Sequence, residues 1–244
     1  MTSIRTAIIT GAARGIGAAI AERLAGDGFA VVINYSRDKA SADALAASIG
    51  AAGGKAVAVQ GDVADSAAMK AMFDAAEAEF GGIDVLVNNA GIMQLAPIAD
   101  SDDASFDRQI AVNLKGSFNG MREAARRLRK GGRIINLSTS VVGTRLETYG
   151  IYTATKAAVE VMTFILAREM RGKDITVNAV APGPVATELF LNGKPPELIE
   201  RMSKMNPLER LGQPDDIANV ISFLAGPDGG WVNGQTLRAN GGMV

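Results

Sequence analysis

The sequence predicts one α/β domain: a doubly wound parallel sheet of about seven strands with helices on both faces. Short β-rich runs alternate along the chain with longer helix-like segments, the order that lays crossover helices over a parallel sheet. The run Asp84-Val-Leu-Val-Asn88 is apolar at successive inner positions, as a strand covered on both faces should be. The length of 244 residues suits a single domain, and a hydrophobic share of 48% supplies its core.

The elements follow in order. A first strand is expected at 6–10, and a helix at 16–25 opens directly after a glycine-rich turn. Alternating apolar runs at 30–34 and 56–60 predict the next two strands, with Ala-rich helices at 40–52 and 67–80. Strands at 85–88, 133–137 and 176–180 alternate with helices at 114–129 and 153–170. A helix at 215–224 and a short strand at 236–238 close the chain. Residues 189–207, punctuated by Gly193, Pro195, Pro196 and Pro207, break the alternation and predict a loop with a short helix, a flap over a site. The whole of 1–244 is expected to act as one nucleotide-binding and catalytic unit.

Composition narrows the chemistry. The chain has no cysteine and no histidine, so disulfides, cysteine-based zinc sites and any His-based triad are excluded. Acid–base work falls to Tyr, Lys, Asp or Glu, and no metal site is read. A net charge of −1 gives no pull toward nucleic acid or an anionic membrane, and no partner of either kind is expected. The N-terminal apolar run, 7–9, is too short for a signal core, which fits a cytoplasmic protein.

The turn after the first strand reads Thr10-Gly-Ala-Ala-Arg-Gly-Ile-Gly17. Gly11, Gly15 and Gly17 allow a tight turn and close approach of a ligand, and the helix opening at Ile16 offers free N–H groups to a pyrophosphate. This is the strand–turn–helix of a Rossmann-type dinucleotide site, with GxxxGxG spacing in place of the commoner GxGxxG. Its second strand ends at Asn34-Tyr35-Ser36-Arg37, where NAD-selective proteins carry an acidic residue. Arg14 and Arg37 with no carboxylate beside them suit a 2′-phosphate, hence NADP(H).

Tyr152 and Lys156 stand i, i+4 on one helix face. A neighbouring ammonium favours the phenolate and would lower the tyrosine pKa, making Tyr152 a candidate proton donor and acceptor for a carbonyl and its alcohol. Taken alone, the YxxxK spacing is common.

The set Thr10–Gly17, Asp62-Val63, Asn88-Asn-Ala-Gly91, Asn113, Ser138–Ser140, Tyr152/Lys156 and Pro182-Gly-Pro-Val-Ala-Thr187 resembles the short-chain dehydrogenases/reductases of compact type. The resemblance runs the length of the chain to Asn240-Gly-Gly242 and is nearest to the β-ketoacyl-carrier-protein reductase-like members. It implies a single-domain oxidoreductase exchanging a hydride between NADP(H) and a ketone or secondary alcohol. By the same resemblance Asp62 and Val63 would hold the adenine, while Asn88, Asn89, Ala90 and Gly91, followed by Ile92, would floor the ribose and pyrophosphate. Lys156 would grip the nicotinamide ribose, and Asn113 would hold a proton-relaying water. Pro182, Gly183, Val185 and Thr187 would meet the nicotinamide end.

The substrate-binding serine of the family is displaced here. Counting three residues on from Asn136 and thirteen back from Tyr152 both give Thr139, whereas the Val141-Val-Gly143 text after it favours Ser140. Ser140 is preferred, with Thr139 and Ser138 as alternatives. Apolar positions Met93, Leu146, Tyr149, Leu189 and Phe190, with Gln94, are the expected pocket lining. The basic cluster Arg126, Arg127, Arg129, Lys130, Arg171 and Lys173 offers a dock for an acidic acyl-carrier protein, or is a set of solvated helix ends. Members of the family usually form homotetramers or homodimers, for which helices 114–129 and 153–170 could serve. A catalytically silent nucleotide-binding scaffold on the same fold is the competing reading.

Overall fold

In the computed structural model, which describes residues 4–244, seven parallel strands hydrogen-bond into one sheet. The first three residues of the predicted unit and of the N-terminal reading lie outside the described residues. The strands are β1 (Thr6–Ile9), β2 (Ala30–Tyr35), β3 (Lys55–Gln60), β4 (Ile83–Asn88), β5 (Leu128–Leu137), β6 (Thr176–Pro182) and β7 (Thr236–Ala239), in the order β3-β2-β1-β4-β5-β6-β7. Between them run α1 (Gly15–Gly26), α2 (Lys39–Ala51), α3 (Ser66–Phe80), α4 (Asp103–Gln109), α5 (Gly116–Arg127), α6 (Val141–Thr144), α7 (Gly150–Glu169), α8 (Glu188–Leu191), α9 (Pro196–Ser203) and α10 (Pro214–Ala225).

Strand alternation divides the core in two. Ala7, Ile9, Val31 and Ile33 face one layer, where Ile20 and Leu24 of α1 and Ile217 and Ile221 of α10 cover them. Ile8, Val32, Leu86 and Ile134 face the other, against Met69, Met72 and Phe73 of α3 and Leu166 of α7. β1, β2, β4 and β6 are buried along their whole length, whereas β3, at the edge, is only half-buried. Helix α7 is twenty residues long and apolar enough in composition to cross a bilayer, but here it packs on the sheet through Val159, Thr163 and Leu166.

Some boundaries differ from expectation. Helix α5 stops at Arg127 and β5 starts at Leu128, so the predicted helix 114–129 is shorter and the strand longer. Residues 110–115 form a π-helical stretch between α4 and α5, and α4 itself has no counterpart among the predicted helices. The predicted flap holds two short helices, α8 and α9, instead of one.

Candidate active site

In a parallel sheet all strands end at one edge, and the chain turns opposite ways after β1 and β4, opening a crevice between them. The glycine turn lies there. Gly11 has φ +61°, and a Cβ on it would stand 2.9 Å from the Ala90 Cα, so only glycine lets these two loops meet. Asn89 ties them: its Nδ2 donates to the Thr10 and Gly11 carbonyls at 2.8 and 3.0 Å. The Asn89 and Ala90 N–H groups both donate to the Thr10 Oγ1 at 3.0 Å. Arg14, the residue before α1, is extended and makes no side-chain cap, which leaves the first-turn N–H groups of the helix open to an anion. A glycine cradle beside an uncapped helix start fits the pyrophosphate of a dinucleotide.

Around this cradle the predicted residues divide. Ser36 and Arg37 are exposed beyond the end of β2, whereas the Tyr35 side chain is buried. Arg14 pairs with Glu188 at 2.7 Å, both largely exposed. Asp62 lies half-open beyond β3, accepting from the Ala64 N–H at 2.9 Å and standing 3.4 Å from Arg108. Val63 is buried against Gly116.

Asn34 and Asn88 are corrections. Asn34 is 1% exposed; its Oδ1 accepts from the Gly11 N–H at 3.1 Å and its Nδ2 donates to Gly61 O at 3.0 Å. Its amide is consumed in bracing the glycine turn and has nothing left for a ribose. Asn88 is likewise buried, donating to Asn136 Oδ1 at 2.8 Å and to Ser117 O at 3.3 Å in the core. At the far side of the crevice, Val185 is buried and bridges to Gly212, Gly183 packs on Asn240, and Thr187 caps α8.

Tyr152 and Lys156 occupy the first turns of α7, with the ammonium 5.9 Å from the phenol ring centre. Thr139 lies beside the phenol, its Oγ1 accepting from the Val141 N–H at 3.3 Å, and Tyr149 packs edge-on to the phenol at 6.4 Å. Lys156 is 3% exposed and donates to Leu137 O at 2.8 Å. The expected lowering of the tyrosine pKa is overturned. Burial pushes the Tyr152 phenol up to about 12, outweighing the neighbouring Thr139 hydroxyl that pulls it down. The same burial pushes Lys156 down to about 8. Dehydration leads the shift of both groups.

Ser140, the preferred candidate, has its hydroxyl engaged by the neighbouring strand end. Ser140 is 2% exposed; its hydroxyl donates to Ala181 O at 3.1 Å and accepts from Asn240 Nδ2 at 2.9 Å, beneath the site. The reason is local: β5 ends at Leu137, Ser140 is already helical (φ −63°, ψ −14°), and the turn carries Thr139 toward Tyr152. Ser138 faces the same helix but bonds Glu160 at 2.5 Å.

Asn113 sits in the π-helical stretch, where its side chain clasps the Ile92 backbone, accepting from its N–H at 2.8 Å and donating to its carbonyl at 2.9 Å. Its carbonyl accepts from the Ser117 hydroxyl at 2.7 Å. Asn113 therefore fixes the chain after β4, a role the expected water relay does not describe. Gly91 is held there with Asn113 Oδ1 and Lys156 Nζ 3.4 and 3.5 Å from where its Cβ would be.

The basic cluster does not flank this site within the chain. Arg127 and Arg129 stand at the start of β5, the opposite edge of the sheet, bound to Glu77 and Asp74 and to Asp84 at 2.7–2.8 Å. Glu160 and Asn240 were not among the sequence candidates; the i, i+4 step from Lys156 to Glu160 is the one signal that could have pointed to the former.

Residues 11–244 match the family model described as enoyl-(acyl carrier protein) reductase. The chain is 45% identical to the chloroplastic NADPH-dependent aldehyde reductase-like protein of Arabidopsis thaliana, over 98% of this chain and 94% of that one. It is 41% identical to a 3-oxoacyl-(acyl-carrier-protein) reductase of Staphylococcus aureus, over 100% and 99%. A solved short chain dehydrogenase from Burkholderia cenocepacia in complex with NADP superposes with a TM-score of 0.93 at 36% identity, covering 98% of this chain and 97% of that one. The open glycine cradle, the Tyr152/Lys156 helix and these full-length matches lead to one assignment: the chain belongs to the short-chain dehydrogenases/reductases.

Proposed function

We propose that this protein is an NADP(H)-dependent reductase of ketones or aldehydes, run in reverse as an alcohol dehydrogenase. The observation that carries the reading is the Thr139–Tyr152 hydroxyl pair beside a buried Lys156, at the strand-end edge that holds the glycine cradle. When bound, the cofactor supplies the hydride for reduction. The protein's part is to hold the carbonyl oxygen between the Thr139 and Tyr152 hydroxyls and to deliver the phenol proton to it. A phenol kept protonated by burial is in the state that reduction needs. Lys156, still protonated at neutral pH but lowered to about 8 by the same burial, suits the task of returning a proton to Tyr152.

The cradle receives the pyrophosphate, and Arg14 and Arg37 meet the adenosine 2′-phosphate; the Arabidopsis relative and the Burkholderia structure carry the same cofactor in their names. The exposed Arg14–Glu188 pair costs little to exchange for a phosphate contact. The Tyr–Lys spacing of four favours carbonyl chemistry over the enoyl reduction in the family model's description. A silent scaffold has no observation in its favour. Exposed Phe118, Val161, Phe164 and Ile165 on α5 and α7 support assembly into homodimers or homotetramers, testable by light scattering. The deciding experiment is a panel of ketones and aldehydes, with and without a carrier-linked acyl group, followed by NADPH absorbance for the wild type and Tyr152→Phe. No turnover of any carbonyl by the wild type would refute the reading.

A further inference from the structure

We propose that Glu160 is a positioning residue for the reaction: acting through Ser138, it holds Thr139 against Tyr152. The proposal rests on the function proposed above. Three successive residues at the end of β5 are bonded to α7, and the next, Thr139, faces it. Asn136 Nδ2 donates to Thr163 Oγ1 at 2.8 Å, and Leu137 O accepts from Lys156 Nζ at 2.8 Å. Ser138 Oγ donates to Glu160 Oε1 at 2.5 Å, and Thr139 lies beside the Tyr152 phenol.

Strand alternation accounts for only part of this ladder. Asn136 and Ser138 point to the α7 side, while Leu137 packs in the opposite core with α1 and α10. Continued alternation would send Thr139 to the Leu137 side, away from Tyr152. The chain instead turns between Ser138 and Ser140, so two adjacent side chains face the same helix. The turn is pinned on its far side by Ser140, through Pro182 O, Ala181 O and Asn240. On the α7 side the side-chain anchor of this turn, besides the Thr139 contact itself, is the carboxylate of Glu160. Glu160 is half-buried, has no ion-pair partner among the described residues, and stands two helical turns below Tyr152. Its charge serves a hydrogen bond from a buried hydroxyl, which is the stronger kind.

Glu160→Ala should lower kcat about tenfold, the order expected when a reacting group is misplaced, with the KM for NADPH held within about twofold. Ser138→Ala should do the same and removes far less volume, so it serves if Glu160→Ala folds poorly. The double variant should be no slower than the slower single, because both remove one contact. Glu160→Gln should recover most of kcat, since its amide oxygen accepts the same bond. A readout independent of turnover is ¹⁹F NMR with 3-fluorotyrosine. The chain has three tyrosines, and Tyr152→Phe assigns the relevant line. That line should shift in Glu160→Ala without substrate or cofactor, while the Tyr35 line stays. Wild-type kcat in Glu160→Ala, multiplicative effects of the two single variants, or an unmoved Tyr152 line would each overturn the proposal. Because the NMR arm needs no substrate, it still reports if the proposed activity fails.

Discussion

Buried or half-buried cations at the two edges of the sheet are held in opposite ways. At the edge where strands begin, two arginines are matched with carboxylates: Arg129 with Asp84, and Arg127 with Glu77, Asp74 and Glu123. Pairing pushes the Arg127 pKa further above its ordinary value, led by its hydrogen bond to Glu77. At the edge where strands end, Lys156 is buried against a neutral carbonyl and falls to about 8. Paired ions have their valences filled and only brace the fold. An unpaired buried ammonium beside a half-buried phenol leaves the phenol protonated and brings the ammonium's own pKa toward neutral pH. The backbone differs too, since the working edge is braced by amides and hydroxyls such as Asn34, Asn89 and Asn113, which hold loops without fields of their own.

The sharpest way to break this comparison is at the working edge. Tyr152→Phe should reduce kcat by about a thousandfold, the usual worth of a positioned acid, with NADPH affinity by fluorescence titration nearly unchanged. Thr139→Ala should cost about a hundredfold in kcat/KM, as expected for one lost oxyanion donor, and Ser140→Ala much less. A larger loss at Ser140 would return the substrate contact to that residue.

The pH dependence has a definite sign. A phenol at about 12 is protonated across the neutral range, so it is ready for reduction, whereas alcohol oxidation needs the phenolate. Oxidation kcat/KM should therefore rise with pH, by up to about tenfold per unit below the pKa, while reduction stays flat or falls. Charge reversal at the cofactor end is a milder test: Arg37→Asp should shrink the preference for NADPH over NADH about tenfold or more at low salt, and less at high salt. The smallest effect on turnover belongs to the bracing edge. Asp84→Asn weakens the bonds to Arg129 and the Thr6 N–H, which should lower stability by about 1–3 kcal/mol in urea melts. Its kcat should stay within about twofold of wild type; a large loss would mean the two edges are coupled.

The alternation of runs, the glycine turn and the Tyr152/Lys156 step determined the fold class and the location of the chemistry, because each is written in local spacing: period two, period 3.6, and glycines where a backbone must turn. Spacing also carried two independent counts to Thr139, although the neighbouring Val-Val-Gly text drew the choice to Ser140. What only the tertiary structure supplies is where β5 ends and the turn pinned by Ala181 and Asn240 begins, contacts 41 and 100 residues away in the chain. The same holds for Asn34, Asn88 and Asn113. An asparagine's sequence neighbours show that it can donate and accept, but its partners come from other strands and fix whether anything is left for a ligand. The Tyr152 and Lys156 pKa values follow the same rule, since the helix sets their distance from each other and the whole fold sets how much water reaches them.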